Sequence, residues 1–206
     1  MTENLTRRNA LVGGVAFVGL GALAGTASKN SASSTQASYT GRGNRTMYDG
    51  SPTASFPSSL EMVCGGPAWT QSDFERWPHA VHVQLDHTGA HPEWQVLDFE
   101  KSYVFDTATV VTWVKARLAI GPYYQTRPTI YAWIGNYSIL VTALTSAGLS
   151  GQWNYWAADQ TGQQHSVSLS TYPNAVATQW LGGSPDISLV TDPTWCPDMR
   201  MGDYLS

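Results

Sequence analysis

The chain has 206 residues and a mass of 22.4 kDa, room for one ordinary domain with tails. Hydrophobic residues make up 42% and charged residues only 13%, so a buried core is expected beneath a surface of Ser, Thr, Gln, Asn and Gly. With a formal net charge of −4 and no basic cluster, phosphate-backbone binding has no electrostatic source, which excludes nucleic acid as a natural partner.

The N-terminus carries Thr6-Arg7-Arg8-Asn9-Ala10-Leu11 followed by a weakly apolar run rich in Gly and Ala. Paired arginines, a short apolar segment and the small-residue end Ala22-Leu23-Ala24 read as a twin-arginine export signal over residues 1–27. The apolar run of about 15 residues falls short of the roughly 20 that a membrane span needs. Position 26 is Thr rather than Cys, so no lipid anchor is expected. The expected location is extracellular or at the cell surface, with no stable membrane span once the signal is cleaved.

Residues 28–59 are dominated by Ser, Thr, Gly, Asn and Pro with no apolar period, which predicts a flexible linker. Asn44-Arg45-Thr46 and Asn136-Tyr137-Ser138 are glycosylation sequons. From residue 60 to 206 the pattern is one of short strands. Val81–Asp86 alternates apolar and polar residues, and Trp94–Phe99, Tyr103–Phe105 and Thr109–Ile120 follow. Ile130–Ile134 and Tyr137–Leu144 flank Gly135-Asn136, a hairpin signal. Gln152–Ala158, Ser166–Ser170, Val176–Leu181 and Ile187–Val190 complete the set. The expected fold is all-β: a two-layer antiparallel sandwich of the jelly-roll or concanavalin type, without helices. Cys64 and Cys196, in an exported chain, predict a disulfide tying the start of the domain to its end.

Four of the five histidines fall between His79 and Trp94. His87, His91 and Asp86 are the candidate metal ligands, because the turn His87-Thr88-Gly89-Ala90-His91-Pro92 could fold one imidazole back on the other. His82 and Asp86 on one extended strand stand about 13 Å apart, too far to share an ion. The competing expectation, and the preferred one, is a polar, solvated strand face with no cofactor. Aromatic residues point elsewhere: Trp133, Trp153, Asn154, Tyr155 and Trp156 combine rings that stack on sugars with an amide that bonds hydroxyls. No nucleophile elbow or phosphate loop is present. Asp98, Glu100 and Asp106 lie close enough in sequence to supply a carboxylate pair.

Two segments, Thr129–Asn136 (TIYAWIGN) and Ala177–Leu181 (ATQWL), resemble parts of the eqolisin-type glutamic peptidases, which are secreted two-sheet sandwiches. The resemblance implies a sandwich but not that activity. Gln179 stands where the family's glutamate precedes a Trp, and Val141 stands where its glutamine follows a Leu. The expected function is an exported binding module for a polysaccharide or glycan surface. The alternatives are a secreted hydrolase, using a metal or a carboxylate pair, and a structural component of a surface layer or filament.

Overall fold

The computed structural model describes residues 44–120 and 127–196; residues 1–27, read above as an export signal, lie outside the described residues. Eight strands form a closed barrel: β1 (Arg45–Asp49), β2 (Met62–Gly65), β3 (Val81–Asp86), β4 (Val96–Asp98), β5 (Thr129–Trp133), β6 (Asn154–Ala158), β7 (Ala175–Leu181) and β8 (Asp186–Val190). Strands β1 to β7 run parallel, each beside the next in sequence, and β8 closes the ring antiparallel to both β7 and β1. This overturns the expected sandwich: there is one continuous sheet, and most of its pairs are parallel. The eqolisin-like segments are barrel strands and a helix start, so that likeness does not extend to the fold. Closure also leaves the barrel without an unpaired edge for strand-to-strand assembly.

Parallel neighbours need crossovers, and two of them are helices that the strand reading missed. Helix α2 (Thr107–Ala119) lies between β4 and β5, and α3 (Tyr137–Ser146) between β5 and β6; a single turn, α1 (Gln71–Phe74), precedes β3. The side chain of Asp106 caps α2 by accepting from the Ala108 and Thr109 amides at 3.2 and 2.9 Å. Val110, Trp113, Val114 and Arg117 then recur at helical spacing on the buried face. The β-branched residues of Thr109–Ile120 favoured a strand, but an N-cap and a barrel wall to pack on outweigh that preference. Gly135-Asn136 is no hairpin; it lies in a 3₁₀ turn leading into α3, where Leu140 and Leu144 face the barrel. Ser166–Ser170 is not a strand.

Side chains sort by the two-residue period of each strand. Inward residues such as Met47, Met62, Val83, Val96 and Trp156 fill the barrel. Outward residues Leu97, Ile130, Ala132, Tyr155 and Ala157 meet α2 and α3. A third cluster, with Val63, Trp69, Phe74 and Trp77, packs outside β1 and β2. Strand β1 lies within residues 28–59, so the barrel starts inside the stretch read as linker.

Cys64 and Cys196 are free thiols, not a disulfide. Cys64 stands in register with Asp49 at one end of β1, whereas the Cys196 carbonyl is held by Arg45 from the other end. Both are buried in the barrel interior, and burial pushes the Cys196 thiol up to about 12 and Cys64 well above its usual range. Such thiols pack as small apolar groups.

Candidate active site

Because β1 to β7 all point one way, their carboxyl ends meet at one mouth, and β8 starts there. In parallel barrels that mouth, built from strand ends and the loops after them, is where reactive groups gather. Asp49 ends β1 and stands opposite Asp186, the first residue of β8. Asp98 ends β4, in register with Tyr131 on β5, and Glu100 follows two residues on. These five residues line a cleft of about 530 Å³, together with His87, Trp69 and Tyr103.

The polar groups form a chain. The Tyr131 hydroxyl is shared between Gln179 Oε1 and the Glu100 carboxylate, and the Gln179 side chain also bonds Asp186. Asp186 accepts a second bond from the Gly183 amide. Asp98 is only 2% exposed; its Oδ2 lies 3.5 Å from His87 Nε2, and its Oδ1 is buried without a hydrogen-bond partner among the described residues. The His87 ring stacks on Tyr103 with centroids 4.0 Å apart. Its other neighbour is Gly66, where an added Cβ would lie 2.7 Å from the ring. Gly65 gives Trp69 the same close approach, at 2.4 Å. The pair of glycines therefore lets two cleft-wall rings sit against the backbone.

Crowding acids in one half-buried space penalises their charged forms. Burial, then the negative neighbours Glu100 and Asp49, raise Asp98 to about 9. Burial and then Asp186 raise Asp49 to about 8. Glu100 and Asp186 also rise through burial, but each is opposed by hydrogen bonds to its anion, from Tyr131 and from Gly183 and Gln179 respectively. Burial lowers the His87 imidazole. With Asp98 raised and His87 lowered, their contact joins two neutral groups rather than an ion pair.

The histidine stretch does not gather into one site, and its strand face is not solvated. All six residues of β3 are buried. Asp86 points outward beneath α2, accepting from Trp113 Nε1 at 3.0 Å and from the Thr88, Gly89 and His91 amides. His87 turns to the cleft, while His91 pairs with Glu93 at 2.9 Å and stacks on Trp94. Among the described residues, no three His, Cys, Asp or Glu side chains converge to hold a metal ion.

The aromatic candidates do not share one exposed face, although Trp153 and Tyr155 pack edge to face at 6.4 Å and Trp153 and Asn154 line a second cleft of about 460 Å³. Trp156 fills the barrel and donates to Ser188 Oγ at 3.0 Å; Tyr155 donates to the Ala132 carbonyl at 2.9 Å; Trp153 is buried under α3. Asn154 is half-buried at the far end of β6. These four form no stacking surface. Trp133, two residues past Tyr131 on the inward side of β5, is 60% exposed. Asp98 and Glu100 enter the site as a sequence pair, but Asp106 is spent on the α2 cap. Sequence reasoning missed Asp49 and Asp186; Arg45–Asp49 reads RTMYD, with no apolar alternation to mark it as a strand. Compared with protein-family models, curated proteins and solved structures, the chain matches none of them.

Proposed function

We propose that this chain is a glycoside hydrolase, with Asp49 as proton donor and Glu100 as the base or nucleophile. One observation carries the reading: at the carboxyl-end mouth, two half-buried carboxyls open on one cleft, both raised by burial, Asp49 to about 8 and Glu100 against the opposing hydrogen bond from Tyr131. Cleaving a glycosidic bond needs a division of roles, one acid to protonate the leaving oxygen and one carboxylate to act on the sugar carbon or on a water. Asp49, raised to about 8, keeps its proton at neutral pH, while the Tyr131 hydroxyl supports the Glu100 anion. Asp98 lies deeper in the same cleft and keeps its proton beside the pair. Trp69, Tyr103 and Tyr131 add ring surface beside the acids, and exposed Trp133 stands beyond Tyr131 on β5 as a further sugar platform. Export, as read from residues 1–27, would put the activity on glycans outside the membrane.

The test is release of reducing ends from a panel of soluble and insoluble glycans by the wild-type chain and by Glu100→Gln and Asp49→Asn. Hydrolysis by the wild type and its loss in both variants, with unchanged circular dichroism, is the expected result. Binding to a glycan without cleavage would support a binding module instead, the reading that Trp133 favours. Wild-type rates in Glu100→Gln would end the catalytic assignment.

A further inference from the structure

Residues 159–174 join β6 to β7 without a helix, leaving the carboxyl-end mouth at Asp159 and returning to Ala175. A crossover of that kind needs side-chain ties, and the tie at its stem fixes a protonation state. His165 Nε2 lies 3.0 Å from Asp159 Oδ2, and His165 Nδ1 lies 2.9 Å from the Gln163 carbonyl. Thr161 Oγ1 stands 3.1 Å from the same Nδ1; its own proton goes to the Gln163 carbonyl, so it too presents a lone pair. Carboxylate and carbonyl oxygens only accept hydrogen bonds. Both ring nitrogens therefore face acceptors, and only the doubly protonated imidazolium satisfies them together. A neutral imidazole carries one N–H and sets the lone pair of its other nitrogen against an oxygen.

The crossover is fastened to β7 beside this tie. The Gly162 amide donates to the Trp180 carbonyl at 2.8 Å, where the chain turns at φ +77°, a region that glycine enters without strain. The Val167 amide donates to Thr178 Oγ1 at 3.0 Å. Between those two β7 residues stands Gln179. Its carbonyl accepts from the Asp159 amide at 2.9 Å, and its side chain holds Tyr131 and Asp186 in the cleft. Asp159 is the charged group at the imidazole. Strand β7 brings Thr178 and the Trp180 carbonyl, neither of them titratable, and Tyr172, the remaining titratable side chain of the crossover, packs on Tyr137 and Tyr155.

We propose that His165 is a pH-operated clasp: its imidazolium holds the β6–β7 crossover against β7 at the mouth, and loss of one ring proton releases it. The Gln163 carbonyl, together with Asp159, holds the imidazole above the usual histidine range, while burial opposes them. Because the folded value is raised, the clasp contributes fully below the ordinary 6.5 and is lost as pH rises through the folded value. The two side chains are 29% and 28% exposed, so solvent screens the pair and its release frees the loop without unfolding the barrel.

The test is amide hydrogen exchange of the full chain at about pH 5.5 and about pH 8, either side of the histidine range, each normalised to peptide rates at that pH. Protection of Gly162 and Val167 is expected to fall about two- to fivefold at the higher pH, as for the loss of one exposed ion pair. His165→Ala, which keeps every acid of the cleft, is expected to show the lower protection at both pH values. A nuclear magnetic resonance titration of the His165 ring is expected to give a midpoint above 6.5 that Asp159→Asn lowers. Wild-type protection that is independent of pH, a pH effect that persists in His165→Ala, or a wild-type midpoint below 6.5 overturns the inference. Should His165→Ala not fold, the ring titration of the wild type decides. No glycan enters these measurements, so the clasp and the catalytic reading fail separately.

Discussion

The two ends of the barrel handle buried charge in opposite ways. At the amino end of β1, Arg45 is buried and donates to the carbonyls of Asp192, Trp195 and Cys196, while Trp195 Nε1 donates to Thr129 Oγ1 at 2.9 Å. Main-chain oxygens that follow β8 thus receive the guanidinium, and the arrangement holds the end of the described chain against the barrel. At the other end of the same strand, Asp49 meets Asp186, and Asp98 keeps an oxygen that has no hydrogen-bond partner among the described residues. Arg45 and Asp49 share the inward face of β1 four residues apart, so the contrast lies in what surrounds them. One end satisfies its charge with backbone and is structural. The other keeps several acids in mutual conflict, a cost that folding alone does not explain and that a substrate would relieve.

The comparison is broken or sharpened by substitutions at each end. Glu100→Gln is expected to have the largest effect, a loss of about 10³-fold in glycan hydrolysis with little change in melting temperature, as for removal of a general acid–base group. A variant that loses stability instead would make the mouth structural too. Arg45→Ala is expected to do the reverse, costing about 3 kcal/mol or more in urea unfolding because several buried carbonyls lose their donor. If it unfolds with the wild-type midpoint, the floor is not the structural end.

The acids at the mouth also predict a pH dependence of known sign. Asp98 and Asp49 have folded values of about 9 and 8, above their usual 3.8, so the folded chain holds protons that the unfolded chain releases. Their contribution to stability is full below about pH 4 and is lost as pH rises through 8 to 9. Asp98→Asn removes part of that slope. Its melting temperature should gain on the wild type between pH 5 and pH 9, and parallel curves would remove Asp98 from the conflict. Hydrolysis should fall on the alkaline side as Asp49 loses its proton near pH 8. The smallest effect is expected for Trp133→Ala. Its exposed ring makes stability change by no more than about 0.5 kcal/mol, while a rise in KM for glycan would show that it touches substrate.

Much of the strand content was legible in the sequence. Val81–Asp86, Gln152–Ala158, Val176–Leu181 and Ile187–Val190 overlap β3, β6, β7 and β8 closely. Their alternation was misread, however. In an antiparallel sandwich a polar residue between apolar ones faces water, but a barrel strand beneath loops and helices buries both faces. His82, Gln84 and Asp86 are therefore buried, and the expected solvated face does not exist. The helices were hidden by β-branched residues, although Asp106 with Val110, Trp113, Val114 and Arg117 carried a cap and a helical period. Within the site, Asp98 and Glu100 could be paired because they lie only two residues apart in sequence. Asp49 and Asp186 could not, being 137 positions apart and joined only when β8 closes against β1.

By itself, the sequence determined a strand-rich domain poor in charge and the aspartate–glutamate pair at the end of β4. These rest on local composition and on spacings of a few residues. Only tertiary structure decided that the sheet closes, that the cysteines remain thiols, that Trp153, Tyr155 and Trp156 are interior, and that four acids from three strands share one cleft. The physical reason is that burial and electrostatic crowding depend on which strands become neighbours. Partners more than a hundred residues apart are set by closure of the whole barrel rather than by any local pattern.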